Sequence, residues 1–381
     1  MMRASSPLLL ILALAAACQN PSGPAEVENP PSPEDSSAAK GQSFSFSVSP
    51  VAETEAILSV SDEDAADDPA IYVHPQSPSQ SLIYGSNKKY GVETYNLAGK
   101  RLADYPFGRI NNVDILYRPV SEGDTAAGFP ALLGGSNRSY NGVDLWPVYP
   151  ELRSLERLND TLHSQSALGE VYGFCFYASA DAQYVFVNGK SGKVEQYRLS
   201  FQNDSVHLQL KRKLDAGSQT EGMVADTVND FLYLGVEEGG ILVYYAHPDS
   251  SAEPLRRIAL SGDDNPDLAY DIEGLTLYYG EHYGREGYLL ASSQGNNRFA
   301  VFRREAPNKY LGYFTIEAGN GIDGVSETDG IDLAGDSLSA RFPAGVFIAQ
   351  DGFNTNPQGD TLPQNFKLVS WQQVLNKIER P

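Results

Sequence analysis

The sequence predicts an all-β protein: a six-bladed β-propeller with four-stranded antiparallel blades, spanning residues 45–381 as one domain. Three observations predict it. A unit made of an apolar strand, a small polar turn and an alternating strand returns six times, at intervals of about fifty residues, which suits a four-stranded blade. Further runs with period-two alternation and Gly or Asn punctuation lie between the copies, and helical periodicity appears only near the end, in "SWQQVLNKI". Finally, 381 residues exceed the size at which one undivided core keeps growing, so the chain must divide or repeat.

From the N-terminus, residues 1–18 form an export signal of lipoprotein type: Arg3, the apolar stretch from Leu8 to Ala17, then "LAAAC" ending at Cys18. The cysteine is the expected lipidation site, with Ala15 standing where leucine is more usual. Residues 19–44 are Pro, Ser, Glu and Gly with little to bury, and are expected to be a disordered tether. No later segment is long and apolar enough to span a bilayer, so membrane contact is expected only through the N-terminal lipid. The expected localisation is that of an exported bacterial lipoprotein, in the outer membrane, periplasmic or at the cell surface, and the expected state is a monomer. Gln19 in place of aspartate favours the outer membrane where a cell has two.

The copies then follow: "LIYGSNKKYGVETYNL", "ALLGGSNRSYNGVDLWPV", "YVFVNGKSGKVEQYRL", "LYLGVEEGGILVYY", "YLLASSQGNNRFAVF" and "GVFIAQDGFN". Equivalent turns of successive blades emerge at one end of a common channel, so distant residues form one ring. These turns carry Lys88 and Lys89, Arg138, Lys190 and Lys193, Glu237 and Glu238, Gln294, and Asp351, a ring half basic and half acidic. Acids concentrate in the segments leading into the copies: Asp67 and Asp68, Asp114, Glu221, and Asp271 with Glu273. Alternation puts Asp271 and Glu273 on one strand face, where two carboxylates repel unless a proton or cation intervenes.

Composition narrows the chemistry. With 49 acidic against 28 basic residues the formal charge is −21, which argues against nucleic acid and anionic membrane as partners and leaves cation binding open. Apart from Cys18 only Cys175 is present, so no intramolecular disulfide stabilises the mature fold. The five histidines are scattered, which disfavours zinc. In "GIDGVSETDGID" an EF-hand begun at Asp323 would put Val325 at its third position and Ala334 at its twelfth, so no local calcium loop fits. "NGKS" at 188–191 lacks the first glycine of a phosphate loop.

Taken together, "DDPAIYVHP", "NKK", "INNVDI", "SNRS", "EVYGF", "SQTEGM", "DIEGLT", "ASSQGN", "SETDGID" and "QNFK" resemble, in order, the motifs of β-propeller phytases, over nearly the whole chain after the tether. The resemblance implies a calcium-dependent 3-phytase that releases phosphate from phytate, myo-inositol hexakisphosphate, taken as its calcium complex. It implies that Asp67, Asp68, Asp114, Glu221, Glu238, Asp271, Glu273, Asp323 and Asp329 hold or surround several calcium ions. Lys88, Lys89, Asn111, Arg138, Tyr172 and Lys190 would contact phosphate. Glu221, Asp271, Lys88 and Arg138 would serve catalysis, with Glu221 either acting on the attacking water or serving as a ligand, and either Glu53 or Glu55 adding an N-terminal ligand. The chain departs from the family pattern at Glu327 (usually aspartate), Val325 (usually threonine) and Gly239, where a further acid usually follows Glu238. Two other functions fit a propeller with channel carboxylates: a calcium-dependent lactonase or phosphotriesterase, and a non-catalytic surface lipoprotein that binds a glycan or protein. The cationic half of the ring disfavours the first.

Overall fold

The computed structural model describes residues 43–61, 63–118, 129–151, 154–158, 168–202, 205–258, 265–280 and 284–379. The export signal, Cys18 and the tether through residue 42 lie outside them, as do His163 and His282. The described chain forms six sheets in sequence order, at 66–105, 110–148, 171–215, 220–258, 272–316 and 331–370, here blades one to six. Each starts at its innermost strand and meanders outward through antiparallel neighbours. The six-bladed propeller expected from the repeats is therefore the fold. Four sheets have four strands; among the described residues blade two has three and blade five has five.

The extra strands come from the N-terminus. Strand β1 (Phe44–Val48) runs parallel to Tyr310–Ile316 and adds to blade five. Strand β2 (Ala52–Glu53) pairs antiparallel with Asn365–Ser370 and is the outermost strand of blade six, so the two ends of the folded chain close the ring together. Phe44, the last residue assigned to the tether, already belongs to β1. The expected C-terminal helix is α1 (Trp371–Ile378), which buries Trp371, Val374 and Leu375 against blades five and six.

Alternation supplies each blade with two apolar faces, and the core is divided accordingly into six clusters, each shared by neighbouring blades. Tyr72 and Tyr84 of blade one meet Leu133 and Trp146 of blade two; Tyr278 and Leu290 of blade five meet Phe347 of blade six. Cys175 is buried in the cluster between blades three and four.

One irregularity recurs and builds the site. In blades one to five the innermost strand breaks register at the same place: between Ala66 and Pro69, Ile110 and Val113, Val171 and Phe174, Thr220 and Met223, and Ile272 and Leu275. Such bulges add a residue on one strand and re-aim its side chains. The N–H freed from the ladder is taken up by a side chain of the second strand: Asp68 N–H by Ser86 Oγ, Asn112 by Ser136 Oγ, Gly173 by Asn188 Oδ1 and Gly274 by Ser292 Oγ. At Gly222, a Cβ would overlap the Glu273 carbonyl oxygen of the next blade, so close nesting of the bulges requires glycine there.

Candidate active site

The first bulge residue of each blade gives Asp67, Asn111, Tyr172, Glu221 and Glu273, and Asp329 holds the equivalent place just before the inner strand of blade six. The end of the second strand contributes the turn ring: Lys88, Arg138, Lys190, Glu237 and Gln294. The two rings interlock at one mouth of the channel. Lys88 Nζ lies 3.3 Å from Asp67 and 2.9 Å from Asp329; Arg138 Nη1 donates to Asn111 Oδ1 at 3.0 Å; Gln294 Nε2 donates to Asp329 Oδ1 at 2.6 Å.

Glu221, Glu237 and Glu273 each offer a carboxylate oxygen to one group in which all three lie within 4.8 Å of one another, and all three residues are buried. Burial first, then the neighbouring Glu221 charge, pushes Glu273 well above the ordinary carboxylate range. Asp67 is raised for the same reasons. Glu237 is pushed up to about 7 by burial, with the hydrogen bond from Gln219 Nε2 (2.6 Å) working against it. Asn111 Nδ2 donates to Glu221 Oε1 at 2.7 Å. Glu273 Oε2 and Asp67 Oδ1 are buried without a hydrogen-bond partner. Carboxylates crowded in this way fit an external cation, and an all-oxygen donor set suits a hard one such as calcium.

Across from the glutamates lies the cationic arc. Tyr172 carries Lys190 Nζ at 4.6 Å and the Arg138 guanidinium at 5.5 Å from its ring centroid. Burial, then the Glu221 charge, raises the Tyr172 hydroxyl far above its ordinary value, so it remains a hydrogen-bond donor. Arg138 Nε also donates to Glu170 Oε1 at 2.7 Å.

The expected residues do not all meet here. Lys88 is buried among Asp64, Asp67 and Asp329, and its ammonium is engaged by those three carboxylates, while Lys89 is exposed. Asp271 is half-buried, raised by burial and then by the Glu238 and Glu221 charges; Glu238 itself is exposed. Asp68 and Asp114 lie deeper, with Asp332, around a cavity of about 50 Å³. Each accepts a backbone N–H from the next blade: Asp68 from Val113 (3.1 Å), Asp114 from Phe176 (2.7 Å), Asp332 from Ile71 (2.8 Å). Asp323 belongs to a separate group in which Lys367 Nζ meets Asp323 Oδ1, Glu53 Oε2 at 2.7 Å and Asp351 Oδ2 at 3.3 Å. Of the two N-terminal candidates, Glu53 is therefore bound to a lysine, and Glu55 accepts the Arg101 N–H at 3.1 Å. Glu237, absent from the expected ligands, is one of the three members of the glutamate group.

A sequence profile of the Phytase family matches residues 13–380, and this mouth of paired acidic and basic arcs falls inside the match. The chain belongs to the phytase family. It is 39% identical over 339 residues to the 3-phytase of Bacillus subtilis (strain 168), covering 87% of this chain and 86% of that one. Solved structures similar to this phytase include the Cps50 (Swd1) β-propeller domain of Myceliophteria thermophila, at 10% identity and a TM-score of 0.44 over 80% of this chain and 83% of that one. A functionally unknown protein from Desulfotomaculum acetoxidans DSM 771 matches at 15% identity and a TM-score of 0.43, over 66% of this chain and 72% of that one.

Proposed function

We propose that this phytase hydrolyses the phosphomonoesters of phytate, taken as its calcium complex, at the channel mouth, with calcium held by Glu221, Glu237 and Glu273. Asp67 and Asp271 stand beside that group. The observation that carries the reading is the packing of three buried carboxylates within 4.8 Å of one another, facing Arg138 and Lys190 over Tyr172. When bound, calcium offsets the carboxylate charge and polarises phosphoryl oxygens, the Lewis-acid role of metals in phosphate ester hydrolysis. The chain's own groups supply the rest. Arg138 offers a planar fork for two phosphate oxygens and Lys190 a point charge, and both stabilise negative charge as it develops. Asn111 links the arcs, accepting from Arg138 and donating to Glu221, so the orientation of the phosphate and of Glu221 are set together. Glu221 is placed to orient or deprotonate water.

Two measurements test this. Calcium titration of the chelated protein by calorimetry reads binding directly, and Glu237→Gln should weaken it. Steady-state phosphate release across a calcium series separates the roles: Lys190→Ala should chiefly raise KM, and Glu221→Gln should chiefly lower kcat. Full recovery of turnover at high calcium would limit Glu221 to holding the ion; a kcat that stays low would give it a role on the attacking water as well.

For the N-terminus, the proposal is lipidation at Cys18 and export to the outer membrane, supported by the "LAAAC" stretch and Gln19. Cys18→Ser should move the protein from the membrane to the soluble fraction with activity intact; an unchanged distribution would reject lipidation.

A further inference from the structure

We propose that Glu170 is a positioning residue that fixes the Arg138 guanidinium for phosphate binding. Glu170 directly precedes the inner strand of blade three, Val171–Ala178, and its side chain is 37% exposed on the cationic side of the mouth. Its Oε1 accepts from Arg138 Nε at 2.7 Å and lies 3.4 Å from Arg109 Nη2. The opposite edge of Arg138 is held by Asn111, at 3.0 Å from Nη1, and its face lies over Tyr172. The guanidinium is thus gripped on two edges and one face, and its remaining N–H groups are left for an oxyanion. The backbone carbonyl of Glu170 also accepts the Lys190 N–H at 3.4 Å, so the same residue anchors the turn that carries the second phosphate-binding cation.

A carboxylate inside an anion-binding arc works against the substrate by charge alone, so its presence requires a geometric gain. Ordering a free arginine costs side-chain entropy, which a partner already in place removes from the binding step. Burial alone would raise Glu170, but the hydrogen bond and charge of Arg138, then Lys190 and Arg109, outweigh it and hold it below the usual range. Its ionised form, the better acceptor for the guanidinium, is thereby favoured.

The inference rests on Arg138 being a phosphate ligand, and the variants keep the two apart. With phytate as substrate, Arg138→Ala should raise KM; if it does not, the ligand reading fails first. Glu170→Ala should raise KM by about ten-fold with kcat within about two-fold, as expected for loss of one charged hydrogen bond that preorganises binding. Glu170→Gln keeps an acceptor oxygen and removes the repulsive charge, so its KM should stay within about two-fold of the parent. It also controls for folding, as does a melting curve for each variant. Because Glu170 acts through Arg138, the Glu170→Ala/Arg138→Ala double variant should show no further rise over Arg138→Ala alone. An unchanged or lowered KM in Glu170→Ala, or additive losses in the double variant, would overturn the proposal.

Discussion

Lys367 and the glutamate triad meet the same electrostatic problem in different ways. On blade six, Glu53, Asp323 and Asp351 surround the Lys367 ammonium, with Asn354 Oδ1 adding a fourth acceptor at 3.0 Å. At the channel mouth, Glu221, Glu237 and Glu273 are equally crowded, and among the described residues no Lys or Arg forms an ion pair with them. Lys88 among Asp64, Asp67 and Asp329 repeats the first arrangement beside the second. A lysine tied to the backbone stabilises a cluster permanently, but it occupies the position a substrate-bridging cation would need. The mouth keeps its glutamates without a lysine, and the proposed calcium site rests on that difference.

That contrast can be broken most severely by chelation. Phosphate release from phytate should fall to background when calcium is removed and return when it is restored. Melting should track it, because a ligand at a hundred times its dissociation constant stabilises the native state by about 2.7 kcal/mol per site. Next, Lys367→Met should cost about 3–5 kcal/mol in denaturant unfolding, since it leaves three carboxylates around an empty centre. It should also create a calcium-dependent stabilisation larger than the parent's. If calcium fails to rescue this variant, the two clusters differ in more than their lysine. Glu237→Gln should then weaken calcium binding about ten-fold by calorimetric titration, whereas Glu238→Gln, on the exposed neighbour, should leave it nearly unchanged.

The smallest effect is on pH. Burial raises Asp114 to about 7, Asp332 to about 6 and Glu237 to about 7, from ordinary values of 3.8, 3.8 and 4.5. Between the ordinary and raised values the folded protein binds more protons than the unfolded chain, so stability falls as pH rises through that window. The melting temperature of calcium-free protein should accordingly decline from about pH 4 to about pH 7. Calcium should flatten the part due to Glu237 and leave the part due to Asp332.

Blade number, and which residues share a ring at one end of the channel, were legible in the sequence, because each blade repeats the same strand and turn and thereby places equivalent residues together. The choice between Glu237 and Glu238 was decided by register. Aligning Ser86-Asn87-Lys88, Ser136-Asn137-Arg138 and Asn188-Gly189-Lys190 with Gly235-Val236-Glu237 puts Glu237 in the ring, a signal present in the repeats but one that adjacent acids obscure. Asp68 and Asp114 look like ligands by residue type. The bulge of blade one sends Asp68 below the ring, Asp114 follows the bulge on the inner strand of blade two, and each holds the neighbouring blade through a backbone N–H. The partnership of Asp323 with Lys367 left no local trace, since it depends on how strands far apart in the chain pack within blade six. The same holds for Glu170, whose role depends on a guanidinium one blade away.

The pairing of Ala52 with Leu368 and of Glu53 with Lys367 fixes when the molecule can become whole. A polypeptide emerging from the ribosome exposes β2 long before its partner strand has been synthesised, and contacts of such sequence separation form slowly even then. Blade six therefore cannot be completed on a nascent chain, and the carboxylates contributed by different blades cannot be brought together by an enclosed ring. Translation thus leaves an interval in which the blades form an open series and the carboxylates of the mouth are not yet gathered.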